Sequence, residues 1–274
     1  MTHKPLLKWA GGKRWLVPLL DLIWKAEQLD TLIEPFTGGM SVALGLTPSN
    51  ALLNDNNAHL INFYNQVKQG LRLHTGFKNE AAYYYQMRSE FNKLIHLKQC
   101  QSSEAASLFY FLIRTGFNGL CRFNQSGEFN VPFGQHKTIH YKRDFNEYRS
   151  ILTPWHFTQG DFEKIPLTGH ALIYADPPYD VPFRQYCRQG FEWQDQVRLV
   201  EWLNLHQGPV IASNQATDRV LKLYKKNNFK VFKLLAPRRI ACNGNRQPAL
   251  EMFALKNCHP NCVKAVRKFI RMLN

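Results

Sequence analysis

The stretch that most constrains the fold spans residues 171–179, where a short apolar run meets an acid, two prolines and an aromatic residue. Residues 171–175 have the composition of a strand buried on both faces, as in a parallel sheet. Pro177 and Pro178 fix their own φ and donate no backbone hydrogen bond, so they hold the chain beyond Asp176 in one extended shape. The sequence therefore predicts an α/β protein in which a buried strand ends at a functional site.

The turn at residues 176–179 offers a fixed pair of hydrogen-bond acceptors. The Asp176 carboxylate and the Pro177 carbonyl suit the two N–H bonds of an amino group, with the Tyr179 ring over the group that they hold. Accepting both hydrogens localises the lone pair of an aromatic amine as a methyl electrophile approaches, which stabilises the transition state. The competing interpretation is an ordinary proline-bound turn. Chance would give this tetrapeptide in on the order of one in a thousand chains of this length.

The charge and the cysteines limit the partners and the compartment. The 274 residues include 35 Lys and Arg against 20 Asp and Glu, a formal net charge of +15. Such an excess most often indicates a polyanionic partner, with nucleic acid as the first candidate and an anionic membrane as the alternative. No apolar run approaches the roughly 18 residues of a spanning helix, and the N-terminus lacks a signal-peptide core. The six cysteines lack framework spacing, and Cys258 and Cys262 lack a second ligand pair, so we expect a cytoplasmic protein with reduced thiols and no metal.

A second pattern predicts a nucleoside site near the N-terminus. Residues 31–39 form a predicted strand and glycine turn, and a second strand over residues 51–55 ends at Asp55. In a doubly wound sheet, glycines in this place allow close approach and the later carboxylate takes the ribose hydroxyls. The turn departs from G-x-G-x-x-G and carries no Walker lysine, which disfavours dinucleotides and triphosphates. An adenosyl group without phosphates fits better.

Hydrophobic periodicity predicts the remaining elements. Helices are predicted over residues 15–26, 57–68, 81–98, 104–114 and 193–205, and strands over residues 155–158, 210–214, 229–235 and 250–255. The last stretch is an amphipathic basic helix with Lys264, Arg267, Lys268 and Arg271 on one face, which we expect to dock with its charges in water.

Residues 115–134 have a different chemistry, because aromatic residues, amides and Arg122 alternate around a Ser-Gly turn. This pattern predicts a hairpin with flanking loops. Asn and Arg make bidentate contacts to adenine and guanine edges in a major groove, Leu and Pro can contact a thymine methyl, and the lysines and arginines that follow suit phosphates. The competing interpretation is a solvated polar loop. A second basic, glycine-bearing loop, at residues 238–246, is also expected to contact phosphates.

Taken together, these motifs resemble those of Dam-type DNA adenine-N6 methyltransferases. They are Lys-Trp-Ala-Gly-Gly-Lys at residues 8–13, Glu-Pro-Phe-Thr-Gly-Gly at 34–39, Asn-Asp-Asn at 54–56, Phe-Asn-Gly-Leu-Cys-Arg at 117–122, Phe-Asn-Val-Pro-Phe-Gly at 129–134 and Asp-Pro-Pro-Tyr at 176–179. The resemblance implies an α/β, Rossmann-like S-adenosylmethionine-dependent methyltransferase sheet with an inserted helical and hairpin target-recognition domain. The catalytic domain would comprise residues 1–68 and 148–274, and the DNA-binding domain residues 69–147.

The resemblance also implies the residues of each site. The catalytic residues would be Asp176, Pro177, Pro178 and Tyr179. The S-adenosylmethionine site would be formed by Trp9, Ala10, Gly11, Lys13, Pro35, Phe36, Gly38, Asp55, Asp161, Phe162 and Asp176. DNA would be bound by Lys8, Phe117, Asn118, Leu120, Arg122, Asn124, Pro132 and Lys137.

Members with this hairpin sequence imply GATC as the target. Lys8 would lie near the first base, and Leu120, Arg122 and Pro132 would recognise the later ones. Phe117 and Asn118 would act beside the adenine, which must leave the base stack to reach Asp176. Gln135 and His136 stand where other members carry more basic or aromatic residues. The resemblance therefore does not predict how this segment binds phosphates or which flanking bases the protein prefers.

The predicted reaction is transfer of a methyl group to N6 of adenine in duplex DNA, by direct in-line attack without a covalent enzyme intermediate. We expect a monomer in solution, associated with the nucleoid through DNA, and more than one copy can occupy one DNA. Methylation of cytosine N4, of an RNA base or of a protein amide uses related geometry and stays open here. A non-catalytic DNA-binding protein is disfavoured, because such a protein needs neither Asp55 nor the turn at residues 176–179.

Overall fold

The fold is built around one mixed sheet. The computed structural model describes residues 3–73, 76–139, 141–180, 190–237 and 248–273. Within them the strands are β1 Thr31–Glu34, β2 Asn50–Asp55, β3 Trp155–Gln159, β4 Ala171–Ala175, β5 Val210–Gln215, β6 Lys230–Ala236 and β7 Ala249–Lys256. Their order in the sheet is β3-β2-β1-β4-β5-β7-β6. Strands β1 to β5 pair in parallel, and β7 is antiparallel to both of its neighbours.

Helices flank the sheet and form the segment inserted between β2 and β3. They are α1 Val17–Glu27, α2 Ala43–Leu46, α3 Ala58–Lys68, α4 Ala81–His96, α5 Ser103–Thr115, α6 Asn146–Leu152, α7 Trp193–Leu205, α8 Asp218–Lys226 and α9 Pro260–Leu273. The predicted α/β class is confirmed. Helix α1 is preceded by a 3-10 turn, Arg14–Leu16, and carries a proline in its first turn, where a missing N–H costs nothing. Helix α4 ends at His96, two residues before the predicted end.

Strand β4 is buried along its whole length, as its apolar sequence predicts. It lies between β1 and β5, and its side chains alternate between two apolar cores. Leu172 and Tyr174 enter one core, and Ile173 and Ala175 enter the other. The first core continues into α4 and α5, so the inserted helices pack on the same apolar cluster as the sheet. The proposed domain boundaries stay a prediction.

The predicted hairpin over residues 115–134 forms with little regular strand. Two isolated antiparallel bridges, Gly116 with Phe133 and Phe123 with Phe129, hold its two arms together. The basic loop at residues 238–246 lies outside the described residues. Helix α9 docks on the domain with its basic side chains exposed, as predicted, and the structure shows that it packs against α1 with Val266 buried. Among the described residues, we find no helix with the length and apolar character that crossing a membrane requires.

Candidate active site

A cleft of about 980 Å³ opens at the carboxyl edge of the parallel strands. This edge is where doubly wound sheets place their ligands. Strand β1 ends at Glu34, β2 ends at Asp55, and Asp176 follows β4 directly. The residues predicted for catalysis and cofactor binding all line this cleft: Trp9, Ala10, Gly11, Lys13, Pro35, Phe36, Gly38, Asp55, Asp161, Phe162, Asp176, Pro177, Pro178 and Tyr179.

The Asp176 carboxylate is held through both of its oxygens. The Lys13 ammonium lies 2.9 Å from Oδ2, and the Ser213 hydroxyl donates to Oδ1 over 2.8 Å. Lys13 is buried, donates to the Gly11 carbonyl, and lies 4.9 Å from the centroid of the Tyr179 ring. An ionised carboxylate has about four lone-pair sites, so these two contacts leave acceptor capacity for a substrate amine.

Two further carboxyl groups surround Lys13 and Asp176. Glu251 of β7 lies 3.8 Å from the Lys13 ammonium. Glu34 is 3% exposed, and burial raises its pKa to about 8. A backbone hydrogen bond from Ala43 lowers this pKa, and the nearby Asp176 carboxylate raises it by a smaller amount. Burial also raises the pKa of Tyr179 well above its usual range, as do the nearby carboxylates of Asp176 and Glu251. Tyr179 therefore stays a neutral phenol at physiological pH.

The glycine turn after β1 is fixed by close contacts. The Gly38 amide donates to Asp55 Oδ2 over 2.9 Å, and the Tyr64 hydroxyl donates to the Gly38 carbonyl over 2.7 Å. A Cβ at Gly39 would lie 2.8 Å from the Cβ of Trp9, so a larger residue would displace the Trp9 side chain. The turn therefore needs glycine in order to carry Trp9 at the cleft wall.

The cleft is acidic although the chain is strongly basic. Its described lining includes four aspartates, Asp55, Asp161, Asp176 and Asp195, and the largely protonated Glu34, against two basic residues, Lys13 and Arg122, while Arg198 pairs with Asp161 and Asp195 from outside the lining. This balance suits the sulfonium and ammonium groups of S-adenosylmethionine and opposes phosphate-bearing cofactors. No cluster of three or more His, Cys, Asp or Glu side chains suited to a metal ion occurs in the described part of the chain.

One end of the cleft is aromatic and could hold an adenine ring. The Phe36 ring lies 5.7 Å from Phe162 and 5.5 Å from Phe191, measured between centroids. Arg198 lies over Phe162 and bonds to Asp161 over 3.0 Å, and it also pairs with Glu163 and Asp195. Asp161 is thereby fixed next to this apolar end.

Six of the eight predicted DNA-binding residues lie on the hairpin, and the other two are Lys8 in the N-terminal segment and Lys137 after the hairpin. Within the described residues, Arg122 is the one of the eight that lines the cleft. Arg122 donates from Nε to Asn130 Oδ1 over 2.7 Å. The Lys8 side chain packs on Gly119, where a Cβ would come within 2.9 Å of Lys8 Cδ. Phe117 is 45% exposed, and Asn118 has a positive φ of 53°. Both ends of the Asn124 amide bond to Glu128, which gives Asn124 a structural role in closing the hairpin.

The other three predicted DNA contacts are Leu120, Pro132 and Lys137. Pro132 and Lys137 are exposed, and Leu120 is half-buried. The Pro132 carbonyl accepts from the Phe117 amide over 2.9 Å, which brings the two residues together across the hairpin. The DNA roles of all eight residues stay predictions.

Sequence reasoning missed several polar residues that this site buries. Ser213 and Asn214 lie near the end of β5, next to β4, and Gln196 lies on α7. Glu34 is part of the quoted motif at residues 34–39 but was given no role. A polar pair near the carboxyl end of a buried parallel strand is the signal that could have identified Ser213 and Asn214.

A sheet that is parallel except for its seventh strand, with a cleft at its carboxyl edge that gathers the predicted cofactor and catalytic residues, places the chain in the class of Rossmann-like methyltransferases. The chain belongs within this class to the D12 class N6 adenine-specific DNA methyltransferase family, whose sequence pattern matches residues 9–239. The predicted resemblance is therefore confirmed.

Individual relatives show the same similarity along the chain. The DNA adenine methylase of Escherichia coli (strain K12) is 33% identical over 287 residues, which cover 97% of this chain and 99% of the relative. The type II methyltransferase M1.LlaDCHI of Lactococcus lactis subsp. cremoris is 32% identical over 260 residues, or 86% and 88% of the two chains. The DNA N-6-adenine-methyltransferase of Escherichia phage P1 is 33% identical over 89% of this chain, which spans 34% of that relative's length.

Solved structures show a more distant likeness. The precorrin-6y C5,15-methyltransferase of Geobacter metallireducens GS-15 matches with a TM-score of 0.38 and 8% sequence identity, over 93% of this chain and 92% of the other.

Family membership confirms the predicted enzyme class. The protein is a DNA methyltransferase that acts on N6 of adenine. Family membership also favours this activity over the alternatives left open above, which are methylation of cytosine N4, of RNA or of a protein amide, and DNA binding without catalysis.

Proposed function

We propose that the enzyme methylates the adenine of GATC in duplex DNA after this base has rotated out of the stack into the cleft beside Asp176. One observation carries the proposal: the turn at residues 176–179 and the hairpin residues Arg122 and Phe123 line the same cleft. A cleft of about 980 Å³ is too small to enclose a duplex, so a residue that touches bases can share it with Asp176 only if the target base leaves the helix.

We assign the cofactor contacts by the chemistry of each group in the cleft. Asp55 accepts backbone N–H groups from Gly38 and Asn57, one on each oxygen, and retains lone pairs for the ribose hydroxyls. Phe36 and Phe162 would pack on the adenine ring. Bound S-adenosylmethionine supplies an electrophilic methyl group, and the surrounding carboxylates complement its positive charge.

Asp176 and Pro177 would orient the target amine. Their oxygens accept its two hydrogens, and Tyr179 covers the base from one side. Because both acceptors belong to a turn with two prolines, little reorganisation is needed as the reaction proceeds. The amine itself attacks, so the protein supplies no nucleophile of its own.

The target sequence would be recognised from the hairpin and the N-terminal segment. Lys8 would contact the first base, supported by its packing on Gly119, which brings it to the hairpin. Arg122, held by Asn130, would recognise a later base together with Leu120 and Pro132. Exposed Phe117 would fill or border the space that the adenine leaves.

Tritium transfer from labelled S-adenosylmethionine to plasmid DNA tests the proposal, followed by digestion with an endonuclease that is blocked by GATC methylation. We expect label in N6-methyladenine and protected plasmid. Asp176→Ala should abolish transfer and retain DNA affinity, while Asp218→Ala, at an exposed helix position, serves as the matched control. Label in another base, unprotected GATC sites or an active Asp176→Ala enzyme would each contradict the proposal.

Base rotation needs a separate measurement. A 2-aminopurine at the target adenine should gain fluorescence when the enzyme binds, because the base loses its stacking partners. Unchanged fluorescence with bound enzyme would contradict rotation.

We further propose that the protein is a monomer in solution and needs no metal. Light scattering would give the mass of the free protein, and full activity in EDTA would support metal independence. A dimer mass or loss of activity in EDTA would contradict these two proposals.

A further inference from the structure

Strand β5 lies next to β4, and two of its consecutive residues are tied to opposite ends of the turn at residues 176–179. The register pairs Ala175 of β4 with Ala212 of β5, which places Ser213 beside Asp176. Consecutive residues of a strand project to opposite faces of the sheet. Ser213 and Asn214 therefore approach the turn from different faces.

On one face, two hydroxyl groups lead to the carboxylate. The Ser213 hydroxyl donates to Asp176 Oδ1 over 2.8 Å, and the Tyr174 hydroxyl oxygen lies 2.9 Å from Ser213 Oγ. An ionised carboxylate only accepts, so the single Ser213 hydrogen points to Asp176 and the Tyr174 hydroxyl must donate to Ser213. Tyr174 is 2% exposed and Ser213 is 1% exposed, so water does not compete for these bonds.

On the other face, two amides lead to the end of the turn. The Asn214 amide donates to Gln196 Oε1 over 2.8 Å, and Gln196 Nε2 donates to the Pro178 carbonyl over 2.9 Å. Both side chains are fully buried. The amide bonds fix the backbone at Pro178 while the hydroxyl bonds fix the side chain at Asp176.

The torsion of an aspartate carboxylate about its last bond is broad, so its rotamer alone does not fix the plane of the two oxygens. We infer that Ser213 and Tyr174 are positioning residues, which hold the Asp176 carboxylate in the plane that accepts the target amine. This inference rests on the role of Asp176 proposed above. Without Ser213, the carboxylate is free to rotate towards Lys13, which already contacts Oδ2.

The hydroxyl pair orients the carboxylate and does not carry protons away from it. Burial raises the pKa of Tyr174 well above its usual range, and the Asp176 charge raises it further. Tyr174 therefore keeps its proton, and the pair holds the carboxylate without moving a proton.

The expected effect is on turnover more than on binding. Misplacement of a reacting group by about 1 Å can cost on the order of 100-fold in rate. We expect Ser213→Ala to lower kcat by roughly 10-fold to 100-fold, with KM for both substrates changed by less than about twofold. Tyr174→Phe should lower kcat less, because Ser213 still donates to Asp176.

Steady-state kinetics of Ser213→Ala, Tyr174→Phe and the double variant test this inference. The Tyr174 hydroxyl bonds to Ser213, which in turn bonds to Asp176, so the positioning role predicts that the double variant loses no more than Ser213→Ala alone. The matched control is Ser107→Ala, which removes a buried hydroxyl that bonds to the Ser103 carbonyl in α5. This control should keep wild-type kcat.

Wild-type kcat in Ser213→Ala and Tyr174→Phe, an effect on KM alone, or multiplicative losses in the double variant would overturn the inference. Thermal unfolding and S-adenosylmethionine binding confirm that each variant is folded. Should Ser213→Ala not fold, Tyr174→Phe, which loses a single oxygen atom, decides by its split between kcat and KM. An active Asp176→Ala enzyme would refute the proposed function, whereas an inactive one alongside fully active Ser213→Ala and Tyr174→Phe would refute the positioning role alone.

Discussion

Replacing Glu34 with glutamine should stabilise the ligand-free protein, and this gain should grow with pH. Glu34 is buried at the end of β1, and its Oε1 has no hydrogen-bond partner among the described residues. Its pKa rises from 4.5 to about 8 in the folded protein. A carboxyl group with a raised folded pKa stabilises fully below its unfolded value and loses this contribution as pH rises through the folded value.

The magnitude follows from the shift. Each pKa unit corresponds to about 1.36 kcal/mol, so between pH 5 and pH 8 the wild-type protein should lose about 3 kcal/mol that a glutamine cannot lose. Whatever the exchange costs in shape or hydrogen bonding is the same at both pH values. The rise in the stability difference with pH therefore isolates the ionisation of Glu34.

Urea unfolding of the ligand-free protein, followed by circular dichroism at pH 5, 6, 7 and 8, measures this difference. Glu201→Gln, at an exposed position of α7, is the matched control and should show no such rise. A free-energy difference between Glu34→Gln and wild type that stays constant from pH 5 to pH 8 would refute the burial argument.

Two further predictions concern the hairpin side of the cleft. Burial lowers the pKa of His59 to about 4, and its ring stacks on Phe123. The wild-type free energy of unfolding should therefore fall by up to about 3 kcal/mol between pH 6.5 and pH 4 relative to that of His59→Phe. Urea unfolding at several pH values measures this difference, and parallel curves of stability against pH for the two proteins would contradict the prediction. Asn130→Ala removes the acceptor that holds Arg122 Nε. It should lower the ratio of kcat/KM for GATC to kcat/KM for a site altered at one base by roughly 5-fold to 30-fold. An unchanged ratio would show that other groups hold Arg122.

The parts of the fold that could be predicted are those that depend on residues close together in the sequence. The strand at residues 171–175 and the turn after it could be recognised because apolar runs and prolines constrain the backbone where they occur. The cofactor and catalytic residues could be placed at one edge because parallel strands end together. The partners of Asp176 could not be predicted, because Ser213 and Lys13 meet it only through the order of strands in the sheet and the path of the first loop.

Burial of single polar groups was equally hidden from the sequence. The residues next to Glu34 in the sequence do not show that its carboxyl group is almost completely buried, since that depends on packing by distant segments. Asn124 is predicted to contact DNA because its residue type suits adenine, and nothing in the sequence indicated that its amide also bonds to Glu128 within the hairpin. Residue type predicts chemical capacity, and the fold decides which partner uses it.

The pairing of α1 with α9 has a consequence for biosynthesis. Glu27 at the end of α1 bonds to the His259 amide across 232 positions of sequence, and Trp15 stacks on Phe269. While the ribosome makes this chain, part of the apolar surface of α1 must wait for α9 to emerge. Lys13 is joined to α1 by the 3-10 turn Arg14–Leu16, so the nascent chain completes the support of this active-site residue only after the strands of the sheet have been translated.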